Sequence, residues 1–110
     1  MDISAWLSQL RKGAAELVVL AVVSRGECYG LKILEEANAE GDIVSDGALY
    51  PLLNRLEKDG KLAARWVTGD APHPRKYYRL TEDGAATFAE MRQAWTAFRS
   101  AMSHTVEKSP

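Results

Sequence analysis

The chain has 110 residues, of which 46% are hydrophobic and 26% are charged, and its formal net charge is −1. This length and composition predict one soluble globular domain, and they argue against a disordered chain and a general polyanion binder. No apolar run is long enough to span a bilayer, and the single Cys28 cannot form an internal disulfide. We therefore expect a cytoplasmic protein without membrane contact.

The first third of the chain carries apolar residues at helical spacing. Four apolar residues at i, i+3, i+4 and i+7 predict a short N-terminal helix over residues 3–12: Ile3, Trp6, Leu7 and Leu10. Gly13 is expected to break or bend this helix. Residues 14–23 are apolar nearly all round and predict a buried central helix. Residues 29–39 predict an amphipathic helix that ends at Gly41.

The segment SDGALYPLLNRLEKDG, residues 45–60, predicts a third core helix. Its leucines recur at helical spacing, and Gly60 is placed to end the helix. Gly47 and Pro51 are unusual residues inside a helix. A helix that begins near position 48 or 49 explains both. Pro51 then lies in or near the first turn, where its missing N–H is tolerated, and Gly47 allows a sharp backbone turn.

The sequence period changes after Gly60. Residues 62–68 alternate in polarity, and residues 75–81 are rich in aromatic and basic side chains. Both segments predict strands, which a loop at residues 69–74 joins into a β-hairpin because it contains glycine, aspartate and two prolines.

The remainder of the chain predicts a last helix. Thr81 is placed to cap it, and five apolar residues along it are separated by 3, 4, 3 and 4 positions, as in a coiled-coil seam of about two heptads: Phe88, Met91, Trp95, Phe98 and Met102.

The predicted fold class is mainly α with a small β-hairpin. It is a winged helix-turn-helix DNA-binding domain with an additional N-terminal helix over residues 1–81, followed by a C-terminal helix over residues 82–105 and a disordered tail at 106–110.

A stripe on the third core helix is the candidate surface for reading DNA. Its members recur at i, i+3, i+4, i+7, i+8 and i+11: Gly47, Tyr50, Pro51, Asn54, Arg55 and Lys58. Asparagine and arginine are suited to reading adenine and guanine edges in the major groove. The alternative is an ordinary solvated face, although such a face more often carries Glu, Lys and Gln than a Tyr-Pro pair.

The hairpin carries a local excess of positive charge. Residues 61–81 hold five basic residues and one acidic residue, whereas the rest of the chain is net negative. Arg75, Lys76 and Tyr77 on its second strand suit phosphate contacts, which position a protein on DNA without reading sequence. The alternative is an edge strand whose charges oppose aggregation.

Enzymatic function finds no support in the sequence. His73, His104 and Cys28 show neither metal-ligand spacing nor a Cys/His arrangement, and the serines lie in no nucleophile motif. We expect no cofactor and no metal. Cys28 fits inert packing better than a redox sensor. A protein-interaction module that uses the hairpin and the last helix without binding DNA is the alternative function.

Three blocks of the sequence resemble the PadR family of transcriptional regulators. They are GECYGLKI at residues 26–33, SDGALYPLLNRLEKDGKL at 45–62 and RKYYRLTEDG at 75–84, and the resemblance runs from about residue 11 to residue 99. The short length, with one C-terminal helix, resembles the small subfamily that includes multidrug-responsive repressors.

The resemblance implies a homodimeric winged helix on an inverted-repeat operator, often released by a small ligand or by stress. The C-terminal helix of such proteins forms the dimer with help from the N-terminal helix, which places Trp6, Leu7 and Leu10 against the partner protomer. The resemblance also implies that the residues of the C-terminal seam form the dimer contacts: Phe88, Met91, Trp95, Phe98 and Met102.

Trp95 retains two interpretations. It can pack as a core residue under the seam, or it can line an apolar slot for a planar aromatic effector together with Phe88 and Met91. The resemblance supports the slot, because some multidrug-responsive relatives stack flat compounds between tryptophans at the matching place.

Two positions depart from the family pattern. Many members have a hydroxyl residue before the Leu-Tyr-Pro motif that contacts phosphate, but this chain has Ala48, so Ser45 or backbone amides are expected to serve instead. Many members also have a second aromatic residue after the glycine of the first block, where this chain has Leu31.

Overall fold

The computed structural model describes residues 2–69 and 72–108, so part of the predicted hairpin loop and the last two residues of the predicted tail lie outside the described residues. The elements in chain order are α1 (Ser4–Ser24), β1 (Cys28–Tyr29), α2 (Gly30–Ala37), α3 (Asp46–Lys58), β2 (Leu62–Val67), β3 (Arg75–Leu80) and α4 (Glu82–Val106). The predicted fold class is confirmed. Within these two ranges, no helix has both the length and the apolar character needed to cross a bilayer.

The N-terminal helix and the buried central helix are one element. A break at Gly13 was one of the two expectations, and it was wrong, because α1 continues through this residue over 21 residues. Gly13 is exposed, and a methyl group at its position would meet nothing within 4 Å. Glycine in a helix interior costs about 1 kcal/mol relative to alanine, which the packing of the following apolar turns offsets.

The sheet has three antiparallel strands in the order β1-β3-β2. The predicted hairpin is confirmed, with Leu62 opposite Leu80 and Val67 opposite Arg75. The short strand β1, where Cys28 lies opposite Tyr78, was not predicted, because two residues are too few to show an alternating pattern.

The core lies where α1, α2 and α3 pack against the inner face of the sheet. Its fully buried members are Val19, Leu20, Ile33, Leu49, Leu53, Leu56 and Leu62. Cys28 is a free, buried thiol whose pKa is raised, chiefly by that burial. A protonated thiol is a poor nucleophile, so its environment agrees with inert packing.

The helix α3 begins earlier than the sequence suggested. Ser45 is its N-cap, and the Ser45 hydroxyl accepts a hydrogen bond of 3.2 Å from the Ala48 N–H. Pro51 therefore lies in the helix interior and not in its first turn, and the prediction that placed it there was wrong. Its ring removes the hydrogen bond that the Gly47 carbonyl would accept, and both residues are exposed, so water can satisfy that carbonyl.

Gly47 is not a turn residue. It lies inside α3, and the described residues with positive φ are three other glycines, Gly26, Gly60 and Gly69. The predicted end of the helix is confirmed, since Gly60 has φ +78° directly after the C-cap residue Asp59.

The connection from α2 to α3 is organised by one side chain. The Asn38 carbonyl oxygen accepts hydrogen bonds from the N–H groups of Ile43 and Val44 at 2.8 and 2.9 Å, and the Asn38 amide donates to the Val44 carbonyl at 2.7 Å. These three bonds fix the turn that orients α3 relative to α2.

The helix α4 has a packed part and an exposed part. Thr81 caps it as predicted, because the Thr81 hydroxyl accepts a hydrogen bond from the Gly84 N–H at 2.9 Å. Phe88 and Met91 pack against the core, but every residue from 92 to 106 is exposed. We call residues 92–106 the C-terminal arm. The helix extends one residue beyond the predicted boundary of 105.

Candidate nucleic-acid interface

The predicted stripe forms one exposed face of α3. All six of its members are exposed: Gly47, Tyr50, Pro51, Asn54, Arg55 and Lys58. The opposite face is anchored in the core by Leu49, Leu53 and Leu56, each with no exposed surface. The helix therefore presents polar and aromatic side chains to solvent on a backbone that cannot rotate without exposing three leucines.

Arg55 is held at the edge of this face by α1. One of its terminal nitrogens, Nη2, lies 2.6 Å from Glu16 Oε1, and Nη1 lies 3.6 Å from Asp59 Oδ2. The hydrogen bond that Arg55 donates to the Glu16 carboxylate raises the pKa of Arg55 above its usual value. The Glu16 contact links α3 to α1 and fixes the direction of a guanidinium that stays half exposed.

Tyr50 lies against the first residue of α2. A methyl group added at Gly30 would come within 2.8 Å of Tyr50 Cε1 and 2.9 Å of its hydroxyl oxygen. Only glycine at this position leaves room for the ring where it now lies. Sequence reasoning did not connect Gly30 with Tyr50, although Gly30 stands in the first of the three family-like blocks.

Gly30→Ala is expected to displace Tyr50 and to weaken DNA binding about tenfold, while the melting temperature changes little. The Tyr50 ring is half exposed and can swing outward, so the contact can be relieved without unfolding the core. Fluorescence anisotropy with labelled duplex DNA measures the first effect and calorimetry the second. Gly41→Ala is the matched control, because a methyl group there meets nothing within 4 Å. Full affinity in Gly30→Ala would contradict the role of Tyr50.

Lys76 does not share a face of the hairpin with Arg75 and Tyr77. Its Nζ lies 2.8 Å from Glu57 Oε1 near the end of α3 and 5.4 Å from the centre of the Tyr78 ring. The hydrogen bond to Glu57 raises the pKa of Lys76. Lys76 therefore joins the hairpin to α3 and fixes the angle between them.

The outer face of the sheet is basic and aromatic. Arg75 stacks on the Tyr29 ring at 4.4 Å, and Tyr29 meets Tyr77 edge to face at 5.4 Å between ring centres. Arg65 forms a two-pronged contact with Glu27 at 2.8 and 2.6 Å, and this hydrogen bonding lowers the pKa of Glu27. The sequence did not single out Arg65, although the excess of positive charge in its segment includes it.

Two of the predicted dimerisation residues, Phe88 and Met91, pack against the core of their own chain, and the other six lie on two largely exposed apolar surfaces. On α1, Trp6 and Leu10 are more than half exposed, and Leu7 is partly buried. On the C-terminal arm the exposed fractions are 45% for Trp95, 57% for Phe98 and 42% for Met102. Trp95 is thus not a core residue of its own chain.

The three predicted effector contacts are not brought together. Phe88 and Trp95 line a groove of about 680 Å³ between α1 and α4, whereas Met91 lines a separate groove between α1 and α3. The side chains that accompany Phe88 and Trp95 include Leu10, Leu17 and Phe98.

Three core helices followed by a two-stranded hairpin, with a polar face on the third helix, define a winged helix-turn-helix protein. Residues 19–90 match the sequence model of the transcriptional regulator PadR-like family. The chain belongs to this family. Its function is therefore DNA-binding regulation and not catalysis, as the sequence predicted.

Individual relatives agree with this assignment. Transcriptional regulator Rv3488 of Mycobacterium tuberculosis is 37% identical over 90 residues, which cover 80% of this chain and 81% of that protein. The crystal structure of a PadR family transcriptional regulator from Eggerthella lenta is similar with a TM-score of 0.82 and 31% identity, over 97% of this chain and 94% of the other. A PadR-like transcriptional regulator from Bacillus cereus gives a TM-score of 0.81 and 28% identity, over 92% and 99%.

Proposed function

We propose that the protein is a homodimeric repressor that binds an inverted-repeat operator and is released by a planar aromatic effector. The observation that carries the DNA-binding part is the exposed face of α3. Asn54 is exposed at its centre, and an asparagine amide can pair with the edge of adenine. Arg55 lies one residue further along, and its side chain suits guanine.

The hairpin supplies contacts to the DNA backbone in this proposal. Arg75 and Tyr77 lie on its outer face and reach phosphates that flank the groove. Lys76 contributes differently from the sequence expectation, because its pairing with Glu57 orients the hairpin. Ser45 and Gly47 lie at the start of α3, where exposed N–H groups favour a phosphate oxygen. Lys58 extends the positive surface near the other end of the helix.

The homodimer is supported by the C-terminal arm. Its 15 residues extend about 22 Å as an α-helix, and no residue of it is buried in its own chain. An isolated helix of this length is marginal in water. Trp95, Phe98 and Met102 lie along it at heptad spacing and, with the exposed Trp6 and Leu10 of a second copy, provide the apolar surface that a stable dimer buries.

The operator geometry follows from the dimer. A twofold axis places two copies of α3 on the same side of the duplex, so each copy reads one half of an inverted repeat. The half-sites are then expected about one helical turn apart, roughly 34 to 36 Å, or at a multiple of it. A dimer bound in this way blocks access to the promoter, which is the basis for proposing a repressor.

The effector is proposed to bind in the groove between α1 and α4. Its volume of about 680 Å³ lies in the range of small-molecule sites, and Phe88 and Trp95 offer aromatic faces for stacking. Titration of intrinsic tryptophan fluorescence with planar aromatic cations is the test. Quenching that persists unchanged in Trp95→Ala would remove Trp95 from the site.

An electrophoretic shift tests the DNA-binding part of the proposal. The probe is a duplex pool selected from random sequence by the protein itself, at low salt and at a concentration that forms dimers. The proposal expects a sequence-selective shift. No shift with this pool would favour the alternative, a protein-interaction module that uses the hairpin and the C-terminal arm.

A further inference from the structure

A groove of about 720 Å³ separates α1 from α3 on the side of the proposed DNA surface. From α3 it is lined by Ser45, Ala48, Pro51 and Arg55, and from α1 by Ser8, Arg11, Lys12 and Glu16. Three of the lining residues are basic and one is acidic. The sequence did not reveal this positive surface, because residues 1–40 carry more acidic than basic groups in total.

Arg11 and Lys12 are the unused positive charges of the groove. Both are exposed, and the ion pairs found among residues 2–69 and 72–108 involve neither of them. Glu16 lies one turn after Lys12, but its carboxylate is 2.6 Å from Arg55. The carboxylate that could neutralise Lys12 is thus already paired with Arg55 of α3.

The proposed dimer leaves these two side chains accessible. Residues 8, 11, 12, 15 and 16 share one face of α1, since they are spaced i, i+3, i+4, i+7 and i+8. The apolar residues Trp6 and Leu10 lie on a different face, toward the groove between α1 and α4. Dimerisation through the apolar face therefore does not cover the basic one.

We infer that Arg11 and Lys12 hold the phosphate backbone on the side of the major groove opposite the hairpin. This inference rests on the proposed insertion of α3. The major groove is about 12 Å wide, so a helix lying in it is flanked by phosphates on both sides. The hairpin is joined to the late part of α3 through Glu57, whereas Arg11 and Lys12 lie beside its early part, at Ala48 and Pro51.

The early part of α3 carries no positive side chain, because the first basic residue along it is Arg55. Ala48 has no polar side-chain group, Pro51 has neither a side-chain donor nor an N–H, and the Ser45 hydroxyl is a neutral group that accepts the Ala48 N–H. Arg11 and Lys12 of α1, across the same groove, supply the positive charge that this end of α3 lacks. Phosphate contacts of this kind add affinity without adding base specificity.

The test compares the salt dependence of DNA binding in four proteins. Arg11→Gln/Lys12→Gln removes the two charges. Arg11→Lys/Lys12→Arg keeps them. The matched control Arg25→Gln/Lys32→Gln removes two charges that lie beside Glu36, outside the groove. The probes are the duplex selected by the wild type and a random duplex of equal length, between 50 and 200 mM KCl.

The glutamine pair is expected to flatten the slope of log K against log salt by about 0.9 for each lost phosphate contact, or roughly 3.6 for a dimer. It should weaken binding to both duplexes equally, while the charge-keeping pair and the control retain the wild-type slope. An unchanged slope in Arg11→Gln/Lys12→Gln would overturn the inference. The inference would also fail if Arg11→Lys/Lys12→Arg flattened the slope as much as the glutamine pair does. Failure of the wild type to bind either duplex would instead refute the proposed function.

Discussion

Phe98→Glu is expected to convert the proposed dimer into a monomer at micromolar concentration. Phe98 is 57% exposed in the C-terminal arm, and in the proposed dimer it becomes central to the interface between two copies. A buried carboxylate without a partner is costly, and the change occurs twice in a symmetric dimer. Central aromatic residues of interfaces are worth at least about 2 kcal/mol each, so the dissociation constant should rise by two or more orders of magnitude.

Sedimentation velocity measures this shift directly. Leu31→Glu is the matched control, because Leu31 is 55% exposed on α2, away from the arm, and the same charge there should leave the dimer intact. DNA affinity should fall together with the dimer, since one protomer can contact only one half-site. A Phe98→Glu protein that sediments as the wild type does would show that the arm is not the dimer interface.

Gly84→Ala is expected to destabilise the fold by about 3 kcal/mol, which is a large part of the stability of a small domain. Gly84 is the one buried residue of α4. A methyl group there would lie 1.9 Å from the carbonyl oxygen of Lys61 and 2.9 Å from its carbonyl carbon. Those atoms belong to the backbone, and the same oxygen accepts the Thr81 N–H at 3.1 Å, so they cannot move independently.

Chemical denaturation followed by circular dichroism measures the loss. Gly13→Ala is a control for which the free energy of unfolding should change in the opposite direction, because Gly13 lies exposed inside α1 with open space around it. Alanine there should stabilise the protein by about 0.5 to 1 kcal/mol. Equal denaturation midpoints for wild type and Gly84→Ala would contradict the close packing of Gly84 against the Lys61 carbonyl.

The sequence predicted the elements whose signal is local and repeated. The leucines of α3 identified both its buried face and, by difference, its exposed face, and the positive φ of Gly60 ends the helix where expected. The Thr81 cap and the hairpin strands also carried their own local signals. These features depend on residues within one or two turns of one another, which is the range that periodicity can detect.

The errors came from competition between local preference and packing. Gly13 and Pro51 are both unfavourable inside helices, yet both helices continue through them. Buried apolar residues after Gly13 and on both sides of Pro51 stabilise the longer elements. The two-residue strand β1 exists only because β3 lies beside it. None of these outcomes can be read from the neighbouring residues alone.

The finer parts of the candidate site depend on contacts between distant segments. The approach of Tyr50 to Gly30 and the pairing of Lys76 with Glu57 join residues that are about 20 positions apart in the chain. Arg55 and Glu16 are separated by 39 positions. The spacing within each segment gives no information about these distances, so the sequence predicted which residues are exposed but not how they are oriented.

Parallel selection of random duplexes by the wild type, Asn54→Ala and Arg75→Ala, followed by sequencing, tests the central claim most directly. In the proposed function Asn54 reads a base, whereas Arg75 holds phosphate. The account predicts that Asn54→Ala loses preference at one position in each half of the inverted repeat, at a cost of about 1 to 3 kcal/mol. Arg75→Ala should keep the wild-type sequence profile and lose affinity for every duplex. Identical profiles for all three proteins would contradict the assignment of α3 as the element that reads DNA.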